Sequence, residues 1–307
     1  MNRFEQRLRR GVTLFVLVAF SLLPLQSRAQ ELSLTSTPSA DLAARSLPPS
    51  SLSPNLLPSS LLPVSSLPEG SSTSAHPYSP SDVEVSWKSL PKKFLRDEKD
   101  MWLFPTQLAK GRHWLPTALV VGGTAGFIVA DPPLMRKFRR TDNFHDFNNV
   151  FKTSISGGMI AIVPAGFYVA SLIRRDSYGQ STALLAGEAV AHDAVLMIVT
   201  KAITRRARPS EFPPEGRYND TFFATHNSLL GKGSSFPSGH AMMSFSVATV
   251  FAERYKRHKW VPYVAYGLAA AISFSRVSNG SHFPSDVFFG ATMGYVIARY
   301  DVLRGEH

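Results

Sequence analysis

The sequence predicts an all-α fold, a membrane-integrated bundle of about six apolar helices preceded by a disordered N-terminal tether. Six stretches, at 114–130, 155–173, 182–203, 239–253, 261–275 and 287–299, are rich in helix formers and small residues and lack strand alternation. Several of them are shorter than the roughly 20 residues an upright membrane span takes. The chain of 307 residues contains no Cys, so disulfides, thiolate nucleophiles and zinc–cysteine sites are excluded and packing alone must hold it together.

Residues 1–29 read as a targeting segment or anchor. "MNRFEQRLRR" is basic, "GVTLFVLVAFSLLPL" is apolar, and "SRA" offers small residues for cleavage before Gln30. Residues 30–82 form the tether, where Pro recurs too often for a helix and Ser separates the leucines. Within 83–112, "DEKDMWLFPTQLAKG" has the Trp/Leu/Phe face and charged flanks of a short interfacial helix. Residues 113–303 hold the helical domain, whose third segment carries Glu188, His192 and Asp193, costly in a bilayer unless they face the bundle interior.

The net charge of +11 favours anionic partners. The basic residues come in short clusters rather than a long stripe, which disfavours nucleic acid and leaves phosphates and lipid headgroups. Membrane topology reads two ways. The leader favours export of the remaining chain, whereas Lys92, Lys93, Arg96, Lys110, Arg112 and the cluster Arg254, Lys256, Arg257 and Lys259 favour the cytoplasmic side. The reading adopted is an exported protein of the cell membrane with its charged pocket facing the periplasm; a soluble or peripheral periplasmic protein is the alternative.

Three charged stretches stand between the apolar segments. In "KAITRRARP", Lys201, Arg205 and Arg208 fall at i, i+4 and i+7, on one face of a helix that Pro209 ends. In "GSSFPSGH", Ser238 and Gly239 lead into a helix whose first N–H groups suit an anion, with Gly239 allowing close approach to the backbone. In "SRVSNGSHFPSD", Pro284 suits a first helical turn, which puts Asp286 in that turn and His282 just outside it. A carboxylate beside an imidazole fixes its tautomer and frees the other nitrogen as nucleophile or base. Taken singly, each stretch also reads as an ordinary capped or basic helix end.

Together, Lys201 with Arg208-Pro209, then Pro237-Ser238-Gly239-His240, then Ser275-Arg276 with His282 and Asp286, resemble in order and spacing the three-part signature of the type 2 phosphatidic acid phosphatase and vanadium haloperoxidase superfamily. The resemblance covers about 113 to 300. It implies a helical core and phosphate-ester hydrolysis without metal or other cofactor. By carry-over, His282 is the nucleophile, Asp286 orients it, and His240 is the general acid and then base. Lys201, Arg208 and Arg276, with Ser238 and the Gly239 N–H, bind the phosphate. The implied substrate is a lipid phosphate or isoprenyl diphosphate at a membrane face. A secreted acid phosphatase acting on small phosphoesters, a vanadate-dependent haloperoxidase and an inactive membrane protein of the same fold are the alternatives.

Overall fold

The computed structural model describes residues 85–225 and 233–304. The leader at 1–29, the tether at 30–82 and the start of the interfacial segment lie outside the described residues. Among the described residues there are nine α-helices and no strand, so the all-helical expectation holds.

Helix α1 (Leu90–Trp102) starts at a proline, breaks at Leu103 and continues as the short α2 (Phe104–Ala109). Trp102, Leu103 and Phe104 are exposed at the break. The opposite side of α1 is not simply a charged flank, because it buries Lys93 and Asp97 against the middle of α6 (Ser177–Thr204). The Lys93 ammonium donates to Asp97 Oδ2 at 2.7 Å, Glu188 Oε2 at 2.8 Å and the Val302 carbonyl at 3.0 Å. The Phe94 ring stacks on His192 at 4.3 Å, and the Glu98 carboxylate meets His192 Nδ1 at 2.5 Å. Glu188, His192 and Asp193 therefore face inward as expected, and α1 supplies the partners for the first two. A buried carboxylate stripped of its cation would cost several kcal/mol.

Helix α3 (Trp114–Arg139) runs through Asp131-Pro132-Pro133, past the predicted end at 130. Two prolines would ordinarily stop it. Here Asp131 is tied to Arg206 and Ser285, and Met135 packs with Tyr218, Val277 and Phe283, so tertiary contacts hold the continuing turns. The short α4 (His145–Val150) then leads to α5 (Thr153–Arg174). Asp176 caps α6 by accepting from the Gly179 N–H at 3.0 Å.

After α6 come α7 (Gly239–Arg254), α8 (Trp260–Ser278) and α9 (Pro284–Val296), with a π-helical turn over Ile297–Val302. Helix α7 packs against α5, α6, α8 and α9. Its contact with α9 depends on Gly294, where a Cβ would lie 2.1 Å from the Met242 carbonyl oxygen, and Ser246 Oγ donates to the Gly294 carbonyl at 2.8 Å. Three stretches, α3, α5 and Ser177–Glu211, are long and apolar enough to cross a membrane by length and composition.

Candidate active site

The site begins where α6 ends. The sequence places Lys201, Arg205 and Arg208 on one helical face, but the helix stops at Thr204 and Arg205 turns left-handed at φ 43°. The next residues pair with neighbouring loops instead. Ala207 N–H donates to the Thr221 carbonyl at 2.8 Å, and Ser235 N–H to the Arg206 carbonyl at 2.7 Å. The shared face is thereby corrected: Arg205 points outward near Phe223, Lys201 is buried, and Arg208 stands in extended backbone before Pro209. The Lys201 ammonium donates to the Ser234 carbonyl at 2.5 Å, and Arg208 Nη1 to the Ser281 carbonyl at 3.1 Å.

Ser238 is the N-cap of α7, with its hydroxyl 3.5 Å from the Ala241 N–H and its own N–H donating to the Asp286 carbonyl at 3.1 Å. Gly239 opens the helix, and first-turn N–H groups have no intrahelical acceptor. A Cβ on Gly239 would come within 2.3 Å of Met197 Sδ, so the missing side chain also makes room for Met197 of α6. His240 Nε2 lies 3.5 Å from the Thr153 carbonyl.

Arg276 ends α8 almost wholly buried. Its Nη1 donates to Thr153 Oγ1 at 2.9 Å, its Nε to Ser275 Oγ at 3.0 Å, and its Nη2 to the Phe151 carbonyl. Much of the guanidinium is therefore committed to the start of α5, which leaves its charge as its main contribution to an anion.

His282 and Asp286 stand at the start of α9. Pro284 opens α9 and Asp286 sits in its first turn, as the spacing predicts. However, the imidazole Nδ1 faces the Ser235 carbonyl at 2.7 Å, while Asp286 Oδ2 is 3.6 Å away, too far for a hydrogen bond. The backbone carbonyl accepts from the ring, which puts the proton on Nδ1 and leaves Nε2 unprotonated in the neutral imidazole. The Asp286 carboxylate accepts instead from the Phe283 N–H at 2.8 Å and from Arg206 Nη1 at 2.5 Å.

Arg206, which sequence reasoning missed, is the hub beneath the site. It is 1% exposed, and its other donors reach Asp131 Oδ2 at 2.7 Å, Ser285 Oγ at 2.7 Å and Thr221 Oγ1 at 2.9 Å. Its guanidinium also lies over the Phe283 ring at 4.0 Å. With both aspartates ionised, Asp131, Arg206 and Asp286 together carry one net negative charge beside His282. That arrangement favours positive charge developing on the imidazole.

Burial dominates the electrostatics of the pocket. It pushes the His282 imidazole down to about 4, against the pull of the Asp286 carboxylate. Burial, and next the Arg276 cation, push His240 down to about 4, with Arg208 and Lys201 adding to the effect. For Asp286, burial alone would raise the carboxyl, but the Arg206 guanidinium and the nearby His282 hold it below its ordinary value. Both histidines are thus neutral near pH 7 in the free site, beside cations that attract phosphate.

Among the described residues, one group has metal-ligand spacing. Asp97, Glu188 and His192 offer atoms within 4.8 Å of one another. The group is separate from the pocket around His240 and His282, since His192 precedes Lys201 by nine residues of α6, about 14 Å along a helix. The Lys93 ammonium already bridges its two carboxylates.

Residues 182–302 match the family model described as "PAP2 superfamily". A Lipid A 1-phosphatase of Rhizobium etli is 32% identical over 105 residues, covering 34% of this chain and 42% of that protein. A Lipid A 1-phosphatase of Porphyromonas gingivalis is 37% identical over 65 residues, covering 21% of this chain and 15% of that protein. The chain thus spans less than half the length of these curated relatives. A solved structure, the transmembrane PAP2 type phosphatidylglycerolphosphate phosphatase from Bacillus subtilis, is similar over 66% of this chain and 92% of its own, at 23% identity and a TM-score of 0.34.

Proposed function

We propose that this chain, whose residues 182–302 belong to the PAP2 superfamily, is a phosphatase that hydrolyses a lipid phosphate through a phosphohistidine on His282. The observation that carries the reading is the Ser235 carbonyl at 2.7 Å from His282 Nδ1, which leaves Nε2 as the attacking atom. The Lys201, Arg208 and Arg276 cations hold the phosphate, assisted by Ser238 and the Gly239 N–H. Nε2 attacks phosphorus, the bond to the lipid oxygen breaks, and His240 gives that oxygen a proton. Water then attacks phosphorus and gives its proton to His240, the P–N bond breaks, and inorganic phosphate and free His282 result. The clamp stabilises charge on the equatorial oxygens in both steps.

His240 is neutral in the free site, so its proton must come with the substrate. A phosphate monoanion brings one, and its charge offsets the cations that depress the imidazole. The two stages need neutral His282 and a proton shared between His240 and phosphate.

The relatives' names and the three apolar helices favour a lipid substrate and a membrane protein, and the leader-like sequence of residues 1–29 favours export with the pocket facing the periplasm. The purified protein in mixed micelles tests this. Phosphate release should show a higher kcat/KM with a phosphorylated lipid than with p-nitrophenyl phosphate. A preference for the soluble ester would favour the secreted acid phosphatase instead. A reporter active only outside the cytoplasm, fused between Pro209 and Gly233, should be active, and an inactive one would place the pocket in the cytoplasm.

A further inference from the structure

A cleft of about 370 Å³ opens between the end of α3, the connection to α5 and the end of α8. None of the steps above needs it, yet its wall is built from the same segments as the reaction centre. Thr153 lines it while accepting from Arg276 Nη1 at 2.9 Å and presenting its carbonyl 3.5 Å from His240 Nε2. Asn279, also in the wall, lies three residues from both Arg276 and His282.

The wall is rich in donors and carries excess positive charge. Arg139 and Lys152 contribute two cations against the single carboxylate of Asp142. Arg139 Nε is buried with no hydrogen-bond partner, and its Nη2 makes only a long contact of 3.4 Å to the Phe212 carbonyl. An unpartnered buried guanidinium nitrogen is costly, and an anion in the cleft would offset that cost. Two of the wall's three asparagines spend their side-chain oxygens on protein donors. Asn148 Oδ1 is taken by Ser278 Oγ at 2.5 Å and Asn279 Oδ1 by the Ser281 N–H at 2.9 Å, so each has its amide NH2 left to offer.

We propose that this cleft is a subsite for a second phosphate on the headgroup of the lipid being hydrolysed, held by Arg139 and Lys152 with hydroxyl or phosphate oxygens on Asn148 and Asn279. The inference rests on the lipid phosphatase reading and adds to it a substrate class, headgroups with two phosphates. It makes Arg139 and Lys152 specificity residues outside the phosphoryl-transfer machinery.

The bis-phosphorylated and mono-phosphorylated forms of one diglucosamine glycolipid test it, assayed in mixed micelles with the full chain. The wild type should favour the bis-phosphorylated form by about tenfold or more in kcat/KM, the scale of one charge-assisted hydrogen bond. Arg139→Gln and Lys152→Glu should each remove about tenfold of that rate constant, mainly through KM, and change the mono-phosphorylated form less than about twofold. Lys152 is exposed, so its variant tests the subsite even where Arg139→Gln disturbs packing against Gly280. Equal losses on both lipids, or no loss on either, would overturn the subsite and leave the phosphatase standing. A wild type that hydrolyses neither lipid would overturn both.

Discussion

Arg206 Nη1 donates to Asp286 Oδ1 at 2.5 Å, between side chains that are 1% and 0% exposed. The pair joins the loop after α6 to the first turn of α9, and so positions that loop against His282. Arg206→Met should therefore unfold the domain more readily than loss of any exposed arginine, because it leaves Asp131 and Asp286 buried without a cation. The expected cost is about 3–5 kcal/mol, read as a fall in Tm, with Arg205→Met as the near-neutral control.

With its carboxylate 3.6 Å from His282 Nδ1, Asp286 is expected to act on the imidazole by charge. Asp286→Asn should keep the Phe283 N–H capped through its amide oxygen and leave Nδ1 on the Ser235 carbonyl. Activity should fall by about 10- to 100-fold, well short of the complete loss from His282→Ala. Equal losses in the two variants would mean that Asp286 does hold the imidazole directly.

The histidines set the pH profile. His282, at about 4, should lose its nucleophilic form only below that value, which gives kcat/KM an acid limb near pH 4. The proton His240 needs arrives on the phosphate, whose second pKa is about 6, so kcat/KM should decline above about pH 6. An acid limb at the ordinary histidine value of 6.5 would contradict the neutral, buried imidazole. Stability carries the same sign. Both pKa values are lowered, so between 6.5 and about 4 the unfolded chain binds protons that the folded chain refuses, and Tm should fall as pH falls through that window.

Two glycines separate soft from hard packing. Gly294→Ala would press a methyl against the Met242 backbone and should cost about 1–3 kcal/mol or more with little relief available. Gly239→Ala meets only the end of Met197, so adding Met197→Ala should restore most of the lost Tm. Failure of that double variant would show that Gly239 is required for its backbone rather than for the space Met197 takes.

The sequence made the helices legible because their apolar runs are long and uninterrupted, and the charged positions legible because their spacing matches a known signature. Arg206 was hidden by its neighbour. Choosing between adjacent arginines required knowing that α6 ends at Thr204, and a helix continuing to Pro209 put Arg205 on the wrong side. Asp131 was hidden by the two prolines after it, which read as a helix end. The Ser235 carbonyl has no side-chain signature at all, since any residue supplies one. Lys93 read as a flanking charge because its partner Glu188 is 95 residues away.

The central claim is a covalent phosphoryl group on His282. Rapid acid quenching of the purified protein during turnover of a substrate labelled with radioactive phosphate tests it most directly. The wild type should yield an acid-labile, base-stable phosphoenzyme, and His282→Ala none. Label retained in His282→Ala, or steady turnover by that variant, would contradict it.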